Sequence, residues 1–229
     1  MRFGGVIAVD NVDFSLAEGD LRCIIGPNGA GKSTFFKCLT RQYTPTAGSI
    51  LFRGEDITRK ETHEVARRGL GIKTQVPSVM DGITTRENVW IAASRIHRGP
   101  SIDKTVDATL ARLSLTRVGD DLVGHLSHGL RQWVELAMVL ASEPVLILLD
   151  EPTAGMTHDE IHRSAELIRE INRSAALIVV EHDMQFIKAI ASTVTVFHQG
   201  AVLVEDEVSR VMQDSRVRDV YLGKKRETI

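Results

Sequence analysis

Val12, Phe14 and Leu16 alternate with polar residues, the period of two expected of a half-buried strand, and Glu18-Gly19-Asp20 then turns the chain. The next segment, Leu21-Arg22-Cys23-Ile24-Ile25, reads as a short buried strand. From Thr34 to Gln42 the period changes, with Phe35, Phe36 and Leu39 on one side, which predicts a helix. Alternation returns at Ile50 and Phe52 before the turn Arg53-Gly54-Glu55-Asp56. Together with the Val12 segment this predicts a small antiparallel sheet.

Residues 76–81 have the character of a loop. Thr84 to Leu140 carries mostly helical spacing, interrupted at Gly99-Pro100 and Gly119, and is a candidate helical lobe. Strand character resumes at Val145-Leu146-Ile147-Leu148-Leu149 and at Leu177-Ile178-Val179-Val180. A helix with Ile161, Ala165, Ile168 and Ile171 on one face lies between them. Two apolar runs joined by an amphipathic helix form a βαβ unit, which implies a parallel sheet covered on both faces. A hairpin is expected at Gln199-Gly200, pairing Val194 to Phe197 with Ala201 to Val204.

The 229 residues are enough for one sizeable core and too few for two full domains of this α/β kind. With 43% hydrophobic and 25% charged residues and a formal charge of −2, the composition is that of an ordinary globular chain and carries no signature of disorder or nucleic-acid binding. The longest apolar runs, Val145 to Leu149 and Ala175 to Val180, fall far short of the roughly 20 residues of a membrane span. The N-terminal residues lack the pattern of a secretory signal, so a cytoplasmic chain is expected. Cys23 and Cys38 have no metal-type spacing and read as reduced core thiols.

The chemistry concentrates in a few segments. Gly26-Pro27-Asn28-Gly29-Ala30-Gly31-Lys32-Ser33-Thr34 fits G-x-x-x-x-G-K-[ST] between a predicted strand and a predicted helix. In such a loop the backbone N–H groups wrap phosphate oxygens, the lysine reaches the β- and γ-phosphates, and the hydroxyl meets Mg²⁺. The helix N-terminus beneath adds the positive end of its dipole. Asp150 and Glu151 follow the buried run at the C-terminal end of a strand, the edge where open α/β sheets bind ligands. One acid suits Mg²⁺ and the other suits orienting an attacking water. Leu126-Ser127-His128-Gly129-Leu130 opens a helix with Val134, Ala137, Met138 and Ala141 on one face, and Ser127 alone is a good N-cap.

These elements in this order, with Gln75 between them and His182 after the Leu177 strand, resemble the ATP-binding cassette family over essentially the whole chain. The resemblance implies an α/β fold of the P-loop NTPase type: a three-layer core with a mainly parallel sheet, a small antiparallel β part and an inserted helical part. One nucleotide-binding domain would span 1–229, its ATP-binding core at 1–75 and 144–229 and its helical part at 76–143. It implies ATP and Mg²⁺ as cofactors and a head-to-tail pair of cassettes with two ATP molecules between them. By position, Lys32 and the loop Asn28, Gly29, Ala30, Gly31, Lys32, Ser33 and Thr34 would hold phosphates, and Ser33, Gln75 and Asp150 would serve the metal. Glu151, Gln75, His182 and Lys32 would carry hydrolysis. Ser127 and Gly129 would clasp the partner's γ-phosphate, and Phe3 would stack on adenine. Taken singly, Gln75 reads as a loop residue, His182 as a surface histidine and Phe3 as a core residue.

Met1-Arg2-Phe3-Gly4-Gly5, Glu151-Pro152-Thr153-Ala154-Gly155-Met156-Thr157 and Val220-Tyr221-Leu222-Gly223 resemble the ATPase subunits of branched-chain amino acid and urea importers. The implied partners are a second cassette subunit, in a heterodimer or a homodimer, transmembrane permeases, and through them an extracytoplasmic solute-binding protein. The implied location is peripheral, on the cytoplasmic face of the cell membrane. The alternative is a non-transport ATPase or clamp of the same family acting in nucleic-acid or ribosome metabolism. Lys224-Lys225-Arg226 reads as a solvated tail.

Three positions depart from the family pattern. Leu130 stands where a glutamine is usual, and with Ser127 as N-cap it cannot return the reciprocal bond of a capping box. Thr74 replaces the usual phenylalanine before Gln75. Relatives also carry a strand before the aromatic aligned with Phe3, so either translation starts earlier or the antiparallel sheet has an exposed edge. The first departure predicts that Leu130→Gln raises ATP turnover of the assembled complex; unchanged phosphate release would remove Leu130 as a cause of slow hydrolysis.

Overall fold

The structure is a computed structural model in which residues 1–222 are described. Lys224-Lys225-Arg226 and Gly223 lie outside them. In chain order the elements are β1 (Arg2–Phe3), β2 (Val6–Ile7), β3 (Leu21–Ile25), α1 (Lys32–Leu39), β4 (Leu51–Phe52), β5 (Glu55–Asp56), α2 (Thr62–Arg67) and β6 (Leu70–Lys73). There follow α3 (Thr85–Ala93), α4 (Pro100–Arg112), two short 3₁₀ turns, α5 (His128–Leu140) and β7 (Leu146–Asp150). The chain continues through α6 (His158–Asn172), β8 (Ala176–Val180), α7 (Met184–Ile190), β9 (Thr193–His198), β10 (Ala201–Glu207), α8 (Val208–Val211) and α9 (Ser215–Leu222).

The main sheet has six strands in the order β10-β9-β3-β8-β7-β6. Strand β3 pairs in parallel with both β8 and β9, β7 pairs in parallel with β8 and β6, and only β10 runs antiparallel. The expected βαβ unit is therefore β7-α6-β8, and the expected hairpin is β9-β10, opening at His198 opposite Ala201. The central strands are apolar on both faces because both are covered, and Ile147, Leu148, Leu177, Val179 and Val194 are fully buried. One face packs on α5, α6 and α7 through Ile147, Leu149, Leu177 and Val179; the other packs on Phe35, Phe36, Ile57 and Val65 through Ile24, Leu148 and Ile178. Among the described residues no helix is long and apolar enough to cross a membrane. Cys23 and Cys38 are free and buried, and burial pushes both thiols up.

The small antiparallel sheet differs from expectation. Among the described residues it is two separate two-stranded ladders, β1 with β2 and β4 with β5. The Val12, Phe14 and Leu16 side chains are half-buried against the Phe35 side of the core, as the alternation requires, but their backbone joins no ladder. Phe14 meets Phe35 edge-on at 5.4 Å, and the Arg22 guanidinium lies 5.6 Å above its ring. Alternation reports which face is buried; it does not supply a partner strand. An open groove instead separates residues 12–18 from residues 45–53. Strand β6, too short to show a period, was not legible in the sequence.

Removing side-chain volume from the centre of the sheet tests this packing. Leu148→Ala should cost about 2–5 kcal/mol, as do other large-to-small core changes, read as a lower urea midpoint at unchanged slope.

Candidate nucleotide site

The phosphate loop leaves β3 at Gly26 and enters α1 at Gly31, and the glycines at both ends are forced by neighbours. A Cβ on Gly26 would stand 2.3 Å from the Phe197 carbonyl oxygen, and one on Gly31, at φ 102°, would stand 2.3 Å from that of Ala8. Both contacts are to backbone, which cannot step aside, so the loop is seated directly on β9 and on the N-terminal segment. Lys32 at the first turn of α1 folds back, its Nζ donating to the carbonyls of Gly26 at 2.6 Å and Pro27 at 3.1 Å. Ser33 and Asn28 are exposed, and Ala30 is buried beneath the loop.

Strand β7 delivers Asp150 in register with Val180 of β8. Partial burial raises the Asp150 carboxyl above its ordinary pKa, and the neighbouring Glu151 charge raises it further; Lys73 and Lys32 oppose the shift. Burial likewise lowers the Lys32 ammonium, against the pull of Glu151 and Asp150. Glu151 adopts a left-handed backbone, φ 45°, while its N–H donates to the Val180 carbonyl at 2.9 Å. This turn aims its carboxylate toward the loop after β6, where the Gln75 amide donates to Glu151 Oε2 at 2.7 Å. His182 Nδ1 stands 4.0 Å from Glu151 Oε1. Three residues from three separate loops thus meet.

Ser127 caps α5, accepting from the Leu130 N–H at 3.3 Å, and no reciprocal side-chain bond returns from Leu130, as its hydrocarbon side chain requires. Gly129 is buried against α6, where a Cβ would meet Glu160 Oε1 at 2.8 Å. Among the described residues no hydrogen bond joins Ser127 or Gly129 to the phosphate loop of the same chain. Phe3 is 43% exposed on the β1–β2 hairpin, edge-on to Tyr43 at 5.3 Å. The strand start at Arg2–Phe3 belongs to the segment that reaches the loop through Ala8.

Several residues escaped the sequence reading. Glu181, 1% exposed, accepts from the N–H groups of Thr153 at 3.1 Å and His182 at 2.9 Å and from the Thr153 hydroxyl, tying the segment after Glu151 to the His182 loop. Buried Lys73 faces buried Glu135 at 3.9 Å, and Glu135 Oε1 accepts from the Thr74 N–H and hydroxyl and from the Ser78 N–H. The departure at Thr74 is thereby explained, since a hydroxyl anchors the Gln75 loop where an aromatic would pack. Tyr43 was not singled out either. For Glu135 the available signal was a charge three residues before Met138, on a helix whose apolar face is marked by Val134, Ala137 and Met138; β6 is too short to give Lys73 one.

A glycine loop seated on a parallel sheet, its lysine and two strand-end carboxylates define a P-loop nucleotide-binding ATPase. The ABC transporter family pattern matches residues 9–154. The chain belongs to that family and is an ATP-binding, ATP-hydrolysing cassette. It is 30% identical over 241 residues to the high-affinity branched-chain amino acid transport ATP-binding protein BraF of Pseudomonas aeruginosa, covering 97% of this chain and 94% of that one. Over the same span and coverage it is 31% identical to LivG of Escherichia coli K12, a protein of the same description. Its fold is similar to the ADP conformation of MJ1267, an ATP-binding cassette of an ABC transporter, with a TM-score of 0.87 and 28% identity over 98% of this chain and 96% of that one.

The charge arrangement has a stability consequence. A carboxyl whose folded pKa is raised favours the folded state while protonated, and that contribution is lost as pH rises through the raised value. Asp150→Asn should therefore raise the melting temperature of the nucleotide-free protein at neutral pH. The gain should vanish on acidification below the ordinary carboxylate range, in thermal melts across pH.

Proposed function

We propose that the chain is the ATP-hydrolysing subunit of an importer for a small polar solute: a branched-chain amino acid, urea or an amide. The convergence of Gln75, Glu151 and His182 beside Lys32 carries the catalytic part of this reading. The likeness to BraF and LivG supports the transport part.

In this reading the amides of residues 28–34 and the N-terminus of α1 take the phosphates, and Lys32 leaves the Gly26 and Pro27 carbonyls for the β- and γ-phosphate oxygens. The donor set fits Mg²⁺: the Ser33 hydroxyl, the Asp150 carboxylate and the Gln75 amide oxygen are all hard oxygen ligands. Among the described residues no group of three or more His, Cys, Asp or Glu forms a metal cage, so phosphates would complete the shell. When bound, the ion neutralises charge on the β- and γ-phosphates. Glu151 accepts the proton of the attacking water, Gln75 orients it, and His182 meets the γ-phosphate. Phe3, braced by Tyr43, stacks on the adenine.

Ser127 and Gly129 complete the site of a second cassette, in a heterodimer or homodimer. Both stand apart from their own phosphate loop, which supports a role across the pair. The helical part at 76–143, inserted between β6 and β7, faces the permease. It presents Val76, 75% exposed, with Met80, Trp90 and Ile91 also exposed. The protein would sit peripherally on the cytoplasmic face of the membrane, reached from outside by a solute-binding protein through the permease.

Glu151→Gln keeps shape and hydrogen bonding but cannot take a proton. It should lower phosphate release by the assembled transporter about 10²–10⁴-fold while ATP still binds; near-normal release would remove Glu151 as the base.

A further inference from the structure

One face of α5 is polar where its neighbours are apolar. His128, Gln132 and Glu135 recur at helical spacing, and each grips something. The Gln132 amide donates to the Gln75 carbonyl at 3.0 Å and meets His128 Nε2 at 3.2 Å. Only an NH₂ group can bond a carbonyl oxygen, so the amide orientation is fixed, and in the second contact Gln132 is again the donor and His128 Nε2 the acceptor. Arg131 adds a bond to Asp81 at 2.8 Å, and Glu135 holds Thr74 and Ser78. The loop carrying Gln75 is thus clasped along α5, and the Gln75 side chain continues the line to Glu151.

We propose that Gln132 is a positioning residue for hydrolysis. It links the turn at Ser127–Gly129, through His128 on one side and Gln75 on the other, to the carboxylate of Glu151. The inference rests on the roles given above to Gln75 and Glu151. Its consequence is that the turn one subunit lends to its partner's nucleotide is bonded, by three side chains, to the base that serves its own.

A structural role alone accounts poorly for this residue. Gln132 is 1% exposed and its Oε1 is buried without a protein partner among the described residues, beside a small cavity that Lys73, Leu136 and Leu149 also line. A half-satisfied buried amide is unfavourable, and a hydrocarbon of similar volume would pack there more stably. The bonds that the amide does make are to a particular loop and to His128.

The test is a double-mutant cycle on the assembled, permease-bound ATPase. Gln132→Met should melt no lower than the parent, while kcat falls about three- to tenfold, the kinetic equivalent of one hydrogen bond, with KM for ATP little changed. Gln75→Ala keeps the backbone carbonyl but removes the onward side chain. In that background Gln132→Met should cause no further loss, because the line to Glu151 is already cut. Unchanged kcat in Gln132→Met, or losses that multiply in the double variant, would overturn the proposal. Full activity in Gln75→Ala would overturn the role of Gln75 itself and the link with it, a separate result. Should Gln132→Met fail to fold, Gln132→Asn, too short to span both partners, should show the same kcat loss and the same non-additivity.

Discussion

The parallel pairing of β3, β8 and β7 is the constraint on which the site depends. Three strands in register end together, Ile24 beside Val180 and Asp150 beside Val180, so the phosphate loop, the two carboxylates and the Glu181–His182 segment emerge at one edge. Parallel strands require long crossovers, and here the crossovers bring the chemistry: α6 between β7 and β8, and the helical insertion between β6 and β7. The burial that makes those strands continuous in Val, Ile and Leu also dries their ends. There Asp150 and Lys32 are pushed toward their neutral forms while attracting one another.

The site is held from outside by backbone contact and by buried polar groups. Gly26 against Phe197 and Gly31 against Ala8 leave no room for the loop to shift. Glu181 fastens Thr153 to His182, and Glu135 fastens the Gln75 loop. Both buried carboxylates accept from N–H groups of loops, which is how irregular segments gain definite positions without secondary structure of their own.

The helical insertion attaches to the rest of the site through packed hydrocarbon on one side of α5 and through polar bonds on the other. Helix α5 contributes Val134, Leu136 and Ala137 to the core, while its other face, from His128 to Glu135, holds residues 74–81 by hydrogen bonds. Hydrogen bonds are directional and can be exchanged, whereas packed hydrocarbon resists sliding. A loop held by hydrogen bonds can therefore change partners without repacking the core beneath it.

Much of the site could be read directly. The glycine loop, the Asp150-Glu151 strand end and the Ser127 cap are local: their chemistry depends on neighbours a few residues away, and so the sequence alone determined them, together with the βαβ unit and the β9–β10 hairpin. The structure decided what is distant in the chain. Gln75 and Glu151, 76 residues apart, are joined only because β6 and β7 are adjacent in the sheet. Val12 to Leu16 carries the alternation of a strand without pairing as one, since a ladder needs a second backbone that no pattern in the first can supply. Lys73, Gln132 and Glu135 belong to no motif in the sequence. Only the meeting of β6 with α5 shows that they are interior groups whose partners are one another and the loop between them.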